Sequence, residues 1–173
     1  MRRVTYWGLL CCFTLEWLAL GVWIGGMVVL VGGVIPAVFN TFGGQDSGGL
    51  FLTPAFEGYH RFVIGAMVVL CGASFYRWWS GEPVATVERG EMIVLALMVA
   101  IAGVVILALH PQAALLQAQA FAAQEETAKK AAFESLFRVL MPIRVLDIVN
   151  VVLGVLLIGI KSKRTFLPSG QAL

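Results

Sequence analysis

The sequence predicts an all-α integral membrane protein: a four-helix up-down bundle with an extramembrane helical hairpin between helices 3 and 4. Of the 173 residues, 60% are apolar and only 13% are charged, whereas a soluble domain carries about 25% charged residues. The apolar residues are concentrated in four stretches close to the roughly 20 residues that a helix needs to cross a bilayer. The net charge is only +2, so the composition does not favour a nucleic-acid-binding protein, which would be strongly basic.

The four stretches are separated by turn-forming residues, and together they form one transmembrane domain over residues 1–173. The first stretch contains a single charge, Glu16, and no small-residue cleavage site follows it, so we interpret it as an uncleaved helix rather than a signal peptide. Pro111 predicts the end of the third helix, or a kink in it. Pro142 is expected at the start of the fourth helix. The predicted spans are, in chain order, about 9–39, 58–79, 91–110 and 142–161.

The segment 112–141 has a different composition, rich in Ala, Gln, Glu and Lys, which are good helix formers. Apolar residues recur in it at spacings of three and four, which indicates an amphipathic helix. We expect it to form the hairpin outside the hydrocarbon, turning near 125–130, with its apolar stripe on the bundle or at the interface. The stripe consists of Phe133, Leu136, Phe137 and Leu140.

The distribution of Lys and Arg predicts the topology. With the N-terminus inside, seven of the 12 Lys and Arg residues lie on the inner side, and clusters flank both termini. By the positive-inside rule, both termini are therefore expected in the cytoplasm. We expect the chain in a bacterial inner (plasma) membrane. The aromatic residues Trp7, Trp78 and Trp79 would then lie at the inner interface.

Small residues predict how the helices pack. Gly21 and Gly25 form a G-x-x-x-G pair, a pattern that lets helices approach closely in lipid. We expect this pair to make contact inside the chain's own bundle, and a dimer face is the alternative. The three cysteines lie in apolar runs without disulfide or metal spacing, and we interpret them as small apolar packing residues. They are Cys11, Cys12 and Cys71.

Several stretches resemble a known family. Trp17–Gly26 (WLALGVWIGG), followed by Pro36–Phe39 (PAVF), is similar to the first helix of the transmembrane protein 205-like family, a domain of unknown function. Gly49–His60 (GLFLTPAFEGYH) is similar to that family's approach to its second helix, and Phe137 and Asn150 stand where its last helix has comparable residues. The resemblance implies a four-helix membrane fold and no settled activity.

The two histidines are the first candidates for chemistry. His60 begins the second predicted helix and His110 ends the third, so an up-down bundle places both on the extracytoplasmic side. Glu57 precedes His60 by three residues and shares its helix face, and E-x-x-H supplies metal ligands in di-iron bundles. We predict a divalent transition metal bound by Glu57, His60 and His110, with Glu134 and Asp147 as further candidate ligands. Bis-histidine haem and purely structural histidines are the alternatives.

Four polar residues within or beside the apolar stretches form the second set of candidates, because such residues need a partner or a function in lipid. Glu16 either relays protons or binds a cation, or it pairs with Arg77 or Lys161. Arg144 and Asp147, three residues apart, predict a local ion pair, and Asn150 predicts a hydrogen bond across helices. A substrate-binding role for Arg144, Asp147 and Asn150 is the alternative.

No enzyme motif is present, so we do not expect catalysis. Two functions remain open. One is a structural or accessory subunit that docks on a larger membrane complex or on a second copy. The other is a membrane protein that handles a metal ion or small molecule through the extracytoplasmic Glu and His cluster. The expected partners are the lipid bilayer and a membrane protein or a homo-oligomer, with no nucleic acid.

Overall fold

The computed structural model of the protein describes residues 3–42, 45–82, 85–123 and 125–166. All regular secondary structure in these residues is helical. Four helices are present in them: α1 over residues 3–42, α2 (Gln45–Ser80), α3 over residues 89–122 and α4 (Glu126–Phe166). Each is long and apolar enough to cross a membrane, which confirms the predicted all-α, four-span fold class.

The helix α1 changes its winding twice. Its α-helical segments are joined by two π-helical turns, Gly21–Gly25 and Leu30–Val34. Both turns contain glycines, and the second one ends two residues before Pro36, which has no N–H to donate. A π-helical turn inserts a residue into the hydrogen-bond ladder and often marks a functional site.

The helix α3 has one such turn. Arg89–Val104 is α-helical, Val105–Leu109 is π-helical, and His110–Ala122 continues as α-helix. The helix therefore continues through Pro111 instead of ending there. The π-helical turn before the proline rearranges the backbone hydrogen bonds that a proline would otherwise break.

The helices extend beyond the predicted spans. The helix α4 begins at Glu126 and runs through Pro142, and α2 runs through Pro54. In lipid a helical proline is tolerated where neighbours compensate for the freed carbonyl, and the Ala, Glu and Lys residues before Pro142 favour helix. The predicted hairpin is therefore made by the outer ends of α3 and α4, which turn between Ala122 and Glu126.

These outer ends pack through a small apolar cluster. The predicted stripe contributes Leu136 to its buried centre, and Phe133 and Leu140 pack against it, whereas Phe137 is exposed. The buried residues of this cluster are Val105, Ala113, Leu136 and Ile143.

The main core lies at mid-bundle and receives residues from all four helices. Its centre is formed by Leu20, Leu70, Met98 and Leu157, one from each helix and each at most 1% exposed. The helices pair mainly as α1 with α2 and α3 with α4. Large apolar side chains such as Leu107 and Val68 point outward, as expected of a surface covered by lipid.

The glycines that make close contacts differ from those predicted. A Cβ added to Gly154 would lie 2.5 Å from Ile24 Cδ1, and one added to Gly26 would lie 3.0 Å from the Tyr59 ring. Gly21 and Gly25 are exposed, and a Cβ on either would have no described atom within 4 Å. The expected contact of this pair within the chain's own bundle was therefore wrong, because the face of α1 turned toward the core carries larger residues.

Candidate functional site

A buried ionic cluster joins the four helices at one end of the bundle. It contains Glu16 from α1, Arg77 from α2, Glu91 from α3 and Lys161 from α4. Arg77 Nη1 lies 3.0 Å from Glu16 Oε2 and 2.7 Å from Glu91 Oε1. Lys161 Nζ lies 2.7 Å from Glu16 Oε2 and also contacts Glu91 Oε1. Two acids and two bases thus form a neutral cluster in which each acid contacts both bases.

Pairing of every charge is what makes this burial possible, although Arg77 Nε has no hydrogen-bond partner among the described residues. Each side chain of the cluster is at most 8% exposed, and the penalty for removing an ion from water is several kcal/mol even after relaxation. Arg77 donates hydrogen bonds to both carboxylates, and its guanidinium carbon lies 4.8 Å from the centre of the Phe13 ring, a cation–π distance. The cluster links the four helices to one another through buried ion pairs.

The sequence predicted part of this cluster. Pairing of Glu16 with Arg77 or with Lys161 was expected as alternatives, and Glu16 contacts both. Glu91 was missed, because an acid in the first turn of a helix is ordinarily explained by its interaction with the helix dipole.

A second polar layer lies at the other end of the apolar core. From Arg77 back to His60, and from Glu91 forward to His110, the helices rise roughly 25 to 29 Å at about 1.5 Å per residue. This rise is close to the roughly 30 Å thickness of the hydrocarbon layer. The ionic cluster and the histidines therefore lie near opposite boundaries of the hydrocarbon.

The two histidines are in direct contact. The ring centroids of His60 and His110 are 4.5 Å apart and the ring planes meet at 87°, which is an edge-to-face arrangement. The pairing of these residues on one side of the bundle is as the sequence predicted. Haem held between two imidazoles does not fit this geometry, because the two rings touch and leave no space for a porphyrin.

The predicted metal ligands are only partly brought together. Glu57 and Glu134 have exposed side chains, and the described residues contain no group of three or more His, Cys, Asp or Glu arranged to hold a metal ion. The metal site of Glu57, His60 and His110 stays a prediction.

A small cavity lies beside the histidine pair, at the junction of all four helices. Its volume is about 20 Å³, which is room for about one water-sized particle. Most of its wall is apolar, and its polar lining comes from four side chains. The lining residues are Trp23, Met27, Tyr59, His60, Val63, Ala102, Val105, Ile106, Asp147, Asn150 and Val151.

Two polar atoms at this cavity have no partner in the described part of the chain. They are His60 Nδ1 and Asn150 Oδ1, on side chains that are 7% and 6% exposed. The hydroxyl of Tyr59, by contrast, donates a hydrogen bond of 2.8 Å to the Trp23 carbonyl in the first π-helical turn of α1. A buried polar group without a partner is costly and calls for an explanation, such as a ligand.

Asp147 also lines this cavity. The predicted ion pair with Arg144 is not formed within the described residues: Arg144 is exposed on the bundle surface, whereas Asp147 is half-buried and turned to the cavity. Asp147 and Asn150 thus lie together, as the alternative substrate-binding interpretation expected, but without Arg144. The cavity has a carboxylate in its wall and no lysine or arginine.

The two polar layers are separated by the apolar core. Leu20, Leu70, Met98 and Leu157 fill the bundle between them, and in the described residues no polar side chain is buried in this layer. Within the part of the chain that the structure describes, no polar path therefore joins the cavity to the ionic cluster.

Four apolar spans, a sealed core and two polar layers define a polytopic integral membrane protein. Comparison with known families agrees with this class. The chain belongs to the family described as Domain of unknown function (DUF4149), whose model matches residues 18–122. The matched region contains the histidine pair and ends before the cavity residues of α4. No curated protein and no solved structure matches the chain.

Proposed function

We propose that the protein binds a small polar ligand, taken from the extracytoplasmic side, in the cavity formed by His60, Asp147 and Asn150. The observation that carries this proposal is the presence of partnerless acceptor atoms, His60 Nδ1 and Asn150 Oδ1, in a cavity whose wall also holds a carboxylate. The apolar core below the cavity argues against conduction through the monomer. Binding and handling of a ligand fit this arrangement better than passage of a substrate.

Accessibility of the cavity tests the proposal. In a variant without the three native cysteines, all of which are free thiols, Val151→Cys would place a thiol in the cavity wall. Silver ion, a small thiol-reactive cation added from the extracytoplasmic side, should block later maleimide labelling of that thiol. Met98→Cys, in the core, is the matched control and should stay fully labelled by maleimide after unfolding. If silver leaves the thiol of V151C unprotected, the cavity is closed to solutes and the proposal is wrong.

A second candidate function is a structural or accessory subunit, and a groove between α1 and α2 favours it. The groove has a volume of about 430 Å³ and no charged residue in its wall, and three glycines line it. It continues onto the exposed Gly21 and Gly25 face of α1. The lining residues are Gly25, Gly26, Val29, Leu30, Val34, Pro54, Ala55, Gly58, Tyr59 and Phe62.

We propose a second copy of this chain as the occupant of the groove. Glycine faces of transmembrane helices pair closely with copies of themselves, and a two-fold dimer would place α1 against α1 through the same patch on both subunits. Gly25→Cys should then form a disulfide-linked dimer in native membranes, whereas Gly65→Cys, an exposed glycine on α2 outside the groove, should not. Equal cross-linking of both variants, or a monomeric mass in mild detergent, would contradict this assembly and leave a different membrane-protein partner as the subunit hypothesis.

We further propose that the chain is related to the transmembrane protein 205-like family and is inserted in a bacterial inner membrane with both termini in the cytoplasm. The stretches Trp17–Gly26 and Gly49–His60 support the relationship, and both overlap the matched region. The orientation is supported by the Lys and Arg distribution, and it would place the exposed Trp78 and Trp79 at the inner interface. In the cysteine-free background, Lys130→Cys should react with an impermeant maleimide from outside. Labelling of Ser80→Cys from outside would overturn the orientation.

A further inference from the structure

The cavity lacks a positive charge to balance its carboxylate. Asp147 faces the cavity, Arg144 is exposed on the outside of the bundle, and no ion pair of Asp147 is present in the described residues. An acidic side chain within a transmembrane segment is costly and usually has a partner. The partner that this geometry calls for is a cation that enters the cavity.

The cavity wall holds two buried acceptors that lack a partner in the described residues, together with a carboxylate. Asn150 Oδ1 is a carbonyl oxygen, Asp147 offers carboxylate oxygens, and His60 Nδ1 accepts a hydrogen bond when the ring carries its proton on Nε2. The Tyr59 hydroxyl is engaged with the Trp23 carbonyl. A ligand that satisfies these three acceptors, one on α2 and two on α4, must carry several hydrogen-bond donors.

The volume of the cavity and its aromatic side chains restrict which ligands can bind. A volume of about 20 Å³ holds about one water-sized particle, which excludes organic amines with substituents. The side chains of Trp23 and Tyr59 line the cavity, and aromatic faces attract cations where water is excluded. A transition metal fits less well, since no group of three His, Cys, Asp or Glu ligands is assembled in the described residues.

We propose that the cavity binds one ammonium-sized monovalent cation, whose N–H groups donate to Asp147, Asn150 and His60. This inference rests on the proposed ligand-binding function and names its ligand class. The cation supplies the charge that Asp147 lacks and the donors that His60 Nδ1 and Asn150 Oδ1 lack.

Thermal stability of the full-length protein in lipid nanodiscs tests this inference. A ligand that binds only the folded state raises stability in proportion to the logarithm of its concentration above its Kd. At constant ionic strength, ammonium chloride should raise the melting temperature followed by circular dichroism. Potassium chloride should not raise it, because the potassium ion has no hydrogen-bond donors. Tetramethylammonium chloride should not raise it either, because its cation is too large for the cavity.

Substitutions on α4 assign the effect to the cavity. Asp147→Asn should abolish the ammonium response. Without ammonium it should melt no lower than wild type, because it removes a half-buried charge that has no counter-charge among the described residues. Arg144→Gln, one turn away and exposed, is the matched control and should keep the full response. Asn150→Leu should weaken the response and provides a second variant if D147N does not fold.

Three outcomes would overturn the inference: no ammonium response in wild type, an equal response to potassium, or an equal response in D147N. These failures are distinguishable from failure of the proposed function. If silver reaches the thiol of V151C but ammonium has no effect on wild type, only the ligand class is wrong. If silver does not reach it, the ligand-binding function itself is wrong.

Discussion

Removal of one cation from the ionic cluster should strongly destabilise the bundle. Arg77→Met retains the aliphatic bulk of the side chain but leaves Glu16 and Glu91 with only Lys161 between them. The two carboxylates are at most 3% exposed, so one negative charge remains buried without compensation. Breaking a buried pair in this way costs about 3 to 5 kcal/mol, and we expect R77M to lower the free energy of unfolding by that amount.

The double variant R77M/E91Q separates lost charge balance from lost packing. It leaves Glu16 and Lys161, 2.7 Å apart, as a neutral pair. Replacement of a whole buried ion pair by uncharged groups often changes stability little. The double variant should therefore recover at least about 2 kcal/mol of unfolding free energy relative to R77M, and a coupling energy of this size is expected of residues in contact.

Reversible unfolding by sodium dodecyl sulfate in mixed micelles, followed by circular dichroism, measures these differences. Arg61→Met, an exposed residue on the same helix, is the control and should stay within about 0.5 kcal/mol of wild type. A cost of R77M below about 1 kcal/mol, or a double variant no more stable than the single one, would show that charge balance does not hold this end of the bundle.

Two further predictions concern contacts between helices. Gly154→Ala should cost about 1 to 3 kcal/mol because the new Cβ would lie 2.5 Å from Ile24 Cδ1, whereas Gly159→Ala, with no described atom within 4 Å, should be neutral or slightly stabilising. The same unfolding titration checks both, and equal effects would refute the close packing at Gly154. Tyr59→Phe should cost about 0.5 to 1.5 kcal/mol through loss of its hydrogen bond to the Trp23 carbonyl. Faster amide exchange in the adjacent π-helical turn should accompany that loss, and unchanged exchange would indicate that the turn does not need the hydroxyl.

The number of helices could be predicted from the sequence, whereas their ends could not. Four apolar stretches separated by turn residues suffice to predict four spans. The expected helix end at Pro111 and helix start at Pro142 were wrong, because each proline lies inside a continuous helix. A proline breaks one hydrogen bond locally, and whether the helix continues depends on neighbouring helices and π-helical turns that no local pattern reveals.

The candidate site was predictable where an isolated residue was conspicuous. Glu16, His60 and Asn150 stand out because polar side chains are rare in apolar stretches. The partnership of Glu91 and the separation of Arg144 from Asp147 depend on the rotation of each helix about its axis, since a turn of one residue moves a side chain by about 100°. Residue spacing along one helix does not determine this rotation relative to the other three.

The two polar layers differ in charge balance, and this difference leads to a final prediction. The ionic cluster is neutral and its acids and bases contact one another, so no charge in it lacks a counter-charge. The cavity has a carboxylate and two partnerless acceptors, so it gains from one. Lys161 and Asp147 are separated by roughly 20 Å along α4 at about 1.5 Å per residue, and the apolar core lies between the two layers.

Changes at sites this far apart, without shared partners, should be additive within about 0.5 kcal/mol. R77M should therefore lower the unfolding free energy while leaving the ammonium-induced rise in melting temperature intact. D147N should abolish that rise without lowering the unfolding free energy. The double variant R77M/D147N should show both effects at their separate sizes. Loss of the ammonium response in R77M while the bundle remains folded would be the opposite result. It would show that the two polar layers are coupled through the apolar core, and it would contradict their independence.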